Sequence, residues 1–188
     1  MDRRTFLTKS ALYGSAFLVL GASGKVFLNY KTSHQGTAVR DLQLLDFHQC
    51  NRELENVLNA TSIDNNSSWE LAKQLDHMRQ SIVLSMTGYP EHKPEIFKST
   101  LGRWAFNRFN QQNYLVHNIE EEIPGTKPAS SNEDLEMAYS NLVTSMEEFL
   151  TFKGELKPHF AYGSLSKAEY EKAHAMHIAD HLSAINYS

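Results

Sequence analysis

Within the ten residues Ala173 to Leu182, AHAMHIADHL, stand three of the chain's nine histidines: His174, His177 and His181. Positions three, four and seven apart fall within ~60° of one another on an α-helix, so all three share one face. A neutral imidazole is the commonest protein nitrogen ligand for divalent transition metals, and it is also the side chain that titrates nearest neutrality. The arrangement is therefore a metal site, a titrating patch or a coincidence of spacing. With Cys50 the only cysteine, neither an intramolecular disulfide nor a cysteine-rich metal motif can form, and any metal site must be built from His, Asp or Glu.

The apolar register of this last helix runs through Tyr170, residues 174, 177 and 181, and Ile185, with histidine in the three middle places. Imidazoles in an apolar core each need a partner, and a divalent ion is the most economical one. His177 and His181, spaced i, i+4, put two nitrogens ~6 Å apart along one face, able to converge on one ion. Spacing equally permits His174 with His177. His174 and His181, ~10 Å apart along the axis, do not share an ion, so a third ligand must come from another helix.

Four helical stretches can position such a site, and nothing alternates convincingly at period two. The first runs from about Ala38 to Asn59, with Leu44, Phe47, Leu54 and Leu58 on one face, and the turn-rich TSIDNNSS follows it. The second begins at a capping box of Ser67 and Glu70, carries Leu71, Leu75, Met78, Ile82 and Met86, and ends at Gly88 and Pro90. The third starts near Ser131, with Asp134 three residues on, carries Leu135, Ala138, Leu142, Met146 and Phe149, and stops at Gly154 and Pro158. The fourth opens on a capping box of Ser166 and Glu169 and reaches about Ile185. Between the second and third lies a long insertion with a shorter helix, in which Phe97, Leu101, Trp104 and Phe109 would cover one side of the assembly. The expected fold is all-α, a four-helix bundle with a long helical connection between helices 2 and 3.

The bulk numbers fit one domain of 188 residues with a real core. Residues 1–31 carry Arg3, Arg4, Lys9, Lys25 and Lys31 against Asp2 alone, so the remainder of this chain of net charge -4 is strongly acidic. It has no basic patch interleaved with aromatics, and nucleic acid is not an expected partner. The opening MDRRTFLTKSALYGSAFLVLGASG resembles a twin-arginine (Tat) export signal, matched by Arg3, Arg4, Phe6, Leu7 and Lys9. That resemblance implies export by the Tat machinery to the periplasm or another extracytoplasmic space, usually of a protein already folded around a cofactor. Without a clean Ala-x-Ala, cleavage and retention as a membrane anchor both stay open. The expected layout is a signal or anchor over 1–30, a linker over 31–37 and a domain over 38–188.

Periodicity alone gives no vote to His77. With Leu71, Leu75, Met78 and Ile82 at the centre of the second helix's buried face, His77 lies well over 100° to one side. A resemblance singles it out. Trp69 followed by Leu75 and His77, then SIVLSMTGYP and KPEIF, then PHFAYGSLSKAEYEKAHAMHIADHL, resemble the DinB-like (DinB/YfiT) superfamily, and within it a branch of unknown function that often carries a Tat signal. Members are four-helix bundles with a divalent metal held by one histidine of the second helix and a pair spaced by four on the last. The resemblance thus implies His77, His177 and His181 as ligands of zinc, nickel or iron. His174 then contacts the ligands from behind or contacts substrate, and His174 or Asp180 is a candidate proton acceptor. His34, His48, His92 and His117 lack a partner pattern and read as surface groups. His159, with Phe160 and Tyr162, either walls a pocket beside the metal or caps the bundle's end, the cap being favoured. The resemblance implies a metal-dependent hydrolase or a thiol-dependent transferase, with a small molecule or low-molecular-weight thiol as its ligand. The other reading is a non-catalytic bundle that binds metal or a small ligand, and a homodimer stays open.

Overall fold

A computed structural model of the protein describes residues 40–130 and 134–188; the stretches expected to be a signal or anchor and a linker, and His34, lie outside them. The described chain is mostly helical, in the order α1 (Phe47–Leu58), β1 (Ile63–Asn65), α2 (Leu71–Thr87), α3 (Glu95–Phe97), a π-helical turn (Lys98–Gly102), α4 (Arg103–Gln112), α5 (Leu135–Thr151), α6 (Lys167–Ser183) and β2 (Ile185–Tyr187). No helix among the described residues is long and apolar enough to cross a membrane.

α1 begins later than its apolar pattern suggests. Asp46, in extended conformation, accepts a hydrogen bond from the Gln49 amide and caps the helix there. Leu44 is buried ahead of the helix, and Val57 rather than Leu58 completes the inner face with Phe47, Cys50 and Leu54. The capping box expected at Ser67 does not form: the Ser67 hydroxyl accepts from the Trp69 amide and donates to Glu120, and α2 starts at Leu71 with no side-chain cap. The box at Ser166 does form, with both reciprocal bonds to Glu169, so α6 starts where its sequence says. α2 ends at Gly88, whose φ of 112° suits glycine alone.

The core lies where α1, α2, α5 and α6 meet, the α2–α5 and α2–α6 contacts among the most extensive. Phe47, Leu54, Leu75, Met78, Ile82, Leu142, Met146, Phe149, Tyr170 and Ile178 fill it. α6 passes directly into β2, which pairs antiparallel with β1: Ile63 opposite Tyr187, Asp64 opposite Asn186, Asn65 opposite Ile185. β1 falls inside the segment expected to be all turn, and β2 follows the end of the expected fourth helix. Three residues per strand are too few to show a period of two.

In the insertion, Leu101 and Trp104 are exposed, whereas Gly102, Ala105 and Phe106 face inward. The cause is the π turn, whose wider i→i+5 winding rotates the later residues out of the register a regular helix would give. A Cβ on Gly102 would stand 1.9 Å from the Ala161 carbonyl oxygen, so that approach excludes every other residue.

The connection over residues 113–130 matters most for the site. Leu115, Ile119, Ile123 and Ala129 anchor it in the interior. Polar ties fix it across α2: Glu120 to the Ser67 hydroxyl and the Ser68 amide, Glu122 to Lys73, and the Ser130 amide to Asp76. It therefore covers a flank of α2 that would otherwise be solvated.

Candidate metal centre

His77 sits on that covered flank and is 2% exposed, although its helix angle predicts a groove position at best. α2 is buried through much more than one stripe: Gln74, Asp76, His77, Ser81 and Ser85 are buried along with Leu71, Leu75, Met78 and Ile82. Asp76, beside His77, receives hydrogen bonds from Arg79, Gln80 and the Ser130 amide. Burial pushes its carboxyl pKa up, but these bonds outweigh burial and hold it below the usual carboxylate range. It is thus a fixed anion that pins the connection to α2.

Four histidines meet here: His77 from α2, His177 and His181 from α6, and His117 from the connection. One ring nitrogen of each lies within 4.8 Å of those of the others. His177 Nε2 and His181 Nε2 are 3.2 Å apart, and the His77 ring centre is 5.1 Å from both of theirs. Nitrogens about 2.1 Å from an ion stand about 3.4 Å apart in a tetrahedron. The α6 pair is already at that spacing, and the widest pair needs to close by about 1.4 Å at most.

His117 is the residue that sequence reasoning assigned to the surface, and the structure corrects this. It sits two residues after the buried Leu115 and two before the buried Ile119, in a segment with no helical period to betray which way it faces. Asp180, read as a candidate proton acceptor, is engaged with His117. Its Oδ2 accepts from the His117 amide at 2.9 Å and from His117 Nδ1 at 2.6 Å. A carboxylate only accepts, so Nδ1 carries the hydrogen and Nε2 is left with a lone pair.

The donor set suits a divalent ion. Burial, followed by the neighbouring His117, depresses His77 to a pKa of about 3, and the same causes hold His177 well below the ordinary imidazole value. Both rings are therefore neutral at pH 7, the state that ligates. His77 Nδ1 and His117 Nε2 are buried without any hydrogen-bond partner in the protein. Trp69 packs its ring edge-on to His77 with ring centres 5.5 Å apart, and the Lys73 ammonium lies 3.8 Å over the indole. One wall is thereby apolar. Surface depressions of about 240 Å³ beside Gln43 and Arg52, and about 200 Å³ beside Lys98 and Arg103, are lined by none of the four histidines.

A family model described as a protein of unknown function, DUF1569, matches residues 37–187. The chain belongs to the DUF1569 family. No curated protein and no solved structure matches it. In this DUF1569 chain, then, the reading of the histidines rests on their own geometry.

Of the other histidines in the DUF1569 domain, His174 turns away from the four. Its ring lies between Phe47 and Tyr170 with Phe149 edge-on, and its Nδ1 is 3.5 Å from the Ser81 hydroxyl. His159 packs against Tyr89, Phe160 and Tyr162, and its Nδ1 accepts from the Ala161 and Tyr162 amides. His48 and His92 are exposed, and Cys50 is fully buried, its thiol pKa pushed up by burial.

His174 carries a prediction of its own. Burial holds its pKa at about 3, against about 6.5 in an unfolded chain. Between these values the unfolded state takes up a proton that the folded state refuses. Stability is therefore full above pH 6.5 and falls as pH drops toward 3, by up to about 1.4 kcal/mol per pH unit from this group. His174→Leu removes that loss together with a buried, unpartnered Nε2. Urea titrations from pH 7 to pH 4 should show the variant at least as stable at pH 7 and gaining on the parent as pH falls. Parallel pH profiles would contradict this.

Proposed function

We propose that the protein is an exported, DinB-like four-helix bundle whose function is to bind a divalent metal ion, with His77, His177 and His181 as ligands from helices and His117 as the fourth. The observation that carries this reading is the meeting of four imidazoles from three separate segments, with ring nitrogens within 4.8 Å of one another. The buried, unpartnered Nδ1 of His77 and Nε2 of His117 cost stability unless something binds them, and zinc, nickel or iron would do so. The mutual packing of α1, α2, α5 and α6 supports the bundle, and Arg3, Arg4, Phe6, Leu7 and Lys9 support the Tat route.

When bound, such an ion supplies Lewis acidity to whatever occupies an open position. The four side chains decide whether one is open. All-imidazole ligation leaves the ion its full charge, and a fourth nitrogen fills the place that a tetrahedral catalytic centre keeps for water. Metal binding without turnover is therefore the better supported function. On the side of catalysis, His117 and His177 are only half-buried, so that edge of the group reaches solvent. A six-coordinate ion would keep two positions there for a hydrolytic water or a small thiol.

Metal analysis of untagged protein purified without chelators should find about one equivalent of a divalent transition metal; none at all would overturn the proposal. For export, Arg3→Lys with Arg4→Lys should leave the protein in the cytoplasmic fraction. Undiminished export would contradict the Tat reading.

A further inference from the structure

We infer that Asp180 is the positioning residue that makes His117 a metal ligand, and that it does so by clamping both the ring and the backbone of that residue. This deepens the metal-binding reading and rests on it. The other three candidate ligands stand on α2 and α6, whose packing fixes them regardless of any ion. His117 stands on a connection without regular structure and needs something to aim it.

Asp180 is suited to that task by where it sits. It lies on α6 between the ligand candidates His177 and His181, and it is 8% exposed. One oxygen, Oδ2, holds the His117 amide at 2.9 Å and Nδ1 at 2.6 Å. The amide bond fixes where residue 117 enters the site. The ring bond fixes both the rotation of the imidazole and its tautomer, with hydrogen on Nδ1 and the lone pair on Nε2. That Nε2 is buried and has no partner in the protein, which is the condition of a nitrogen reserved for an ion. Carboxylates that accept from the far nitrogen of a ligating histidine orient it and raise its basicity. Here the same carboxylate also spans the connection and α6, so it ties closure of the ligand set to the order of the chain around His117.

Asp180→Asn keeps the size of the side chain and removes its charge and its purely accepting character. It should weaken zinc binding ~10 to 100-fold, the usual cost of an outer partner, while far-ultraviolet circular dichroism stays helical. Adding Asp180→Asn to His117→Ala should cost almost nothing further, because both changes remove the same contribution. A loss as large in the His117→Ala background as in the parent would mean that Asp180 acts elsewhere, and would overturn the inference.

A second readout depends on neither affinity nor folding yield. In metal-free protein, nitrogen-15 spectra of the side chain should show His117 with its hydrogen on Nδ1, and Asp180→Asn should relax that preference. Hydrogen on Nε2 in the parent would overturn the inference directly. The failures are separable. If the parent holds no zinc, the metal reading falls and the inference with it. If the parent holds zinc and Asp180→Asn holds it equally well, only the role of Asp180 falls.

Discussion

Replacing His77, His177 or His181 with alanine, one at a time, is expected to abolish stoichiometric metal binding, whereas His174→Ala retains it. The contrast follows from where the rings point. The first three present nitrogens to a common space within 4.8 Å, while His174 is enclosed by Phe47, Phe149 and Tyr170 and turns its Nδ1 to Ser81. Loss of a direct ligand from a helix should far exceed the ~10 to 100-fold cost of losing an outer partner. Competition against a chromophoric chelator measures all four variants on one scale. If His174→Ala loses the metal while His77→Ala keeps it, the ligand set is misassigned.

Removing the metal should lower the melting temperature by a large margin. An ion that binds only the folded state stabilises it by about 4 kcal/mol when free metal exceeds the dissociation constant a thousandfold. For a domain of this size each kcal/mol moves the midpoint by about 2–4 °C, so the expected fall on chelation is about 8–16 °C. A His177→Ala, His181→Ala variant should melt at the same temperature with and without the chelator. Equal shifts in both proteins would show that the chelator acts on something other than this site.

The helical architecture was legible because it is written locally. Ser166 and Glu169 start α6 where a capping box must, and Gly88 ends α2 where its positive φ requires glycine. The α6 histidines were legible for the same reason, since i, i+4 spacing is a local fact. What could not be read depended on chain segments distant in sequence. His77 looks misplaced on its own helix, and only the connection over residues 113–130, pinned by Glu120, Glu122 and Ser130, turns that flank into interior. His117 carries no period at all, and its orientation is set by Asp180, 63 residues away. Asp180 in turn looks like a free acid until its partner is known. The Ser67 box fails because its hydroxyl accepts from the Trp69 amide two residues on and α2 starts only at Leu71. β1 and β2 escaped notice because each is short and its ladder partner lies at the far end of the domain sequence.

The most direct test of the four-histidine site is a crystal structure of the protein grown with its co-purified metal, with data collected on both sides of that metal's absorption edge. The expected result is a single anomalous peak enclosed by His77, His117, His177 and His181, about 2.1 Å from one nitrogen of each, with His117 bound through Nε2. A peak elsewhere, at His159 and His92 for example, or no peak among these four rings in protein shown to contain metal, would contradict it.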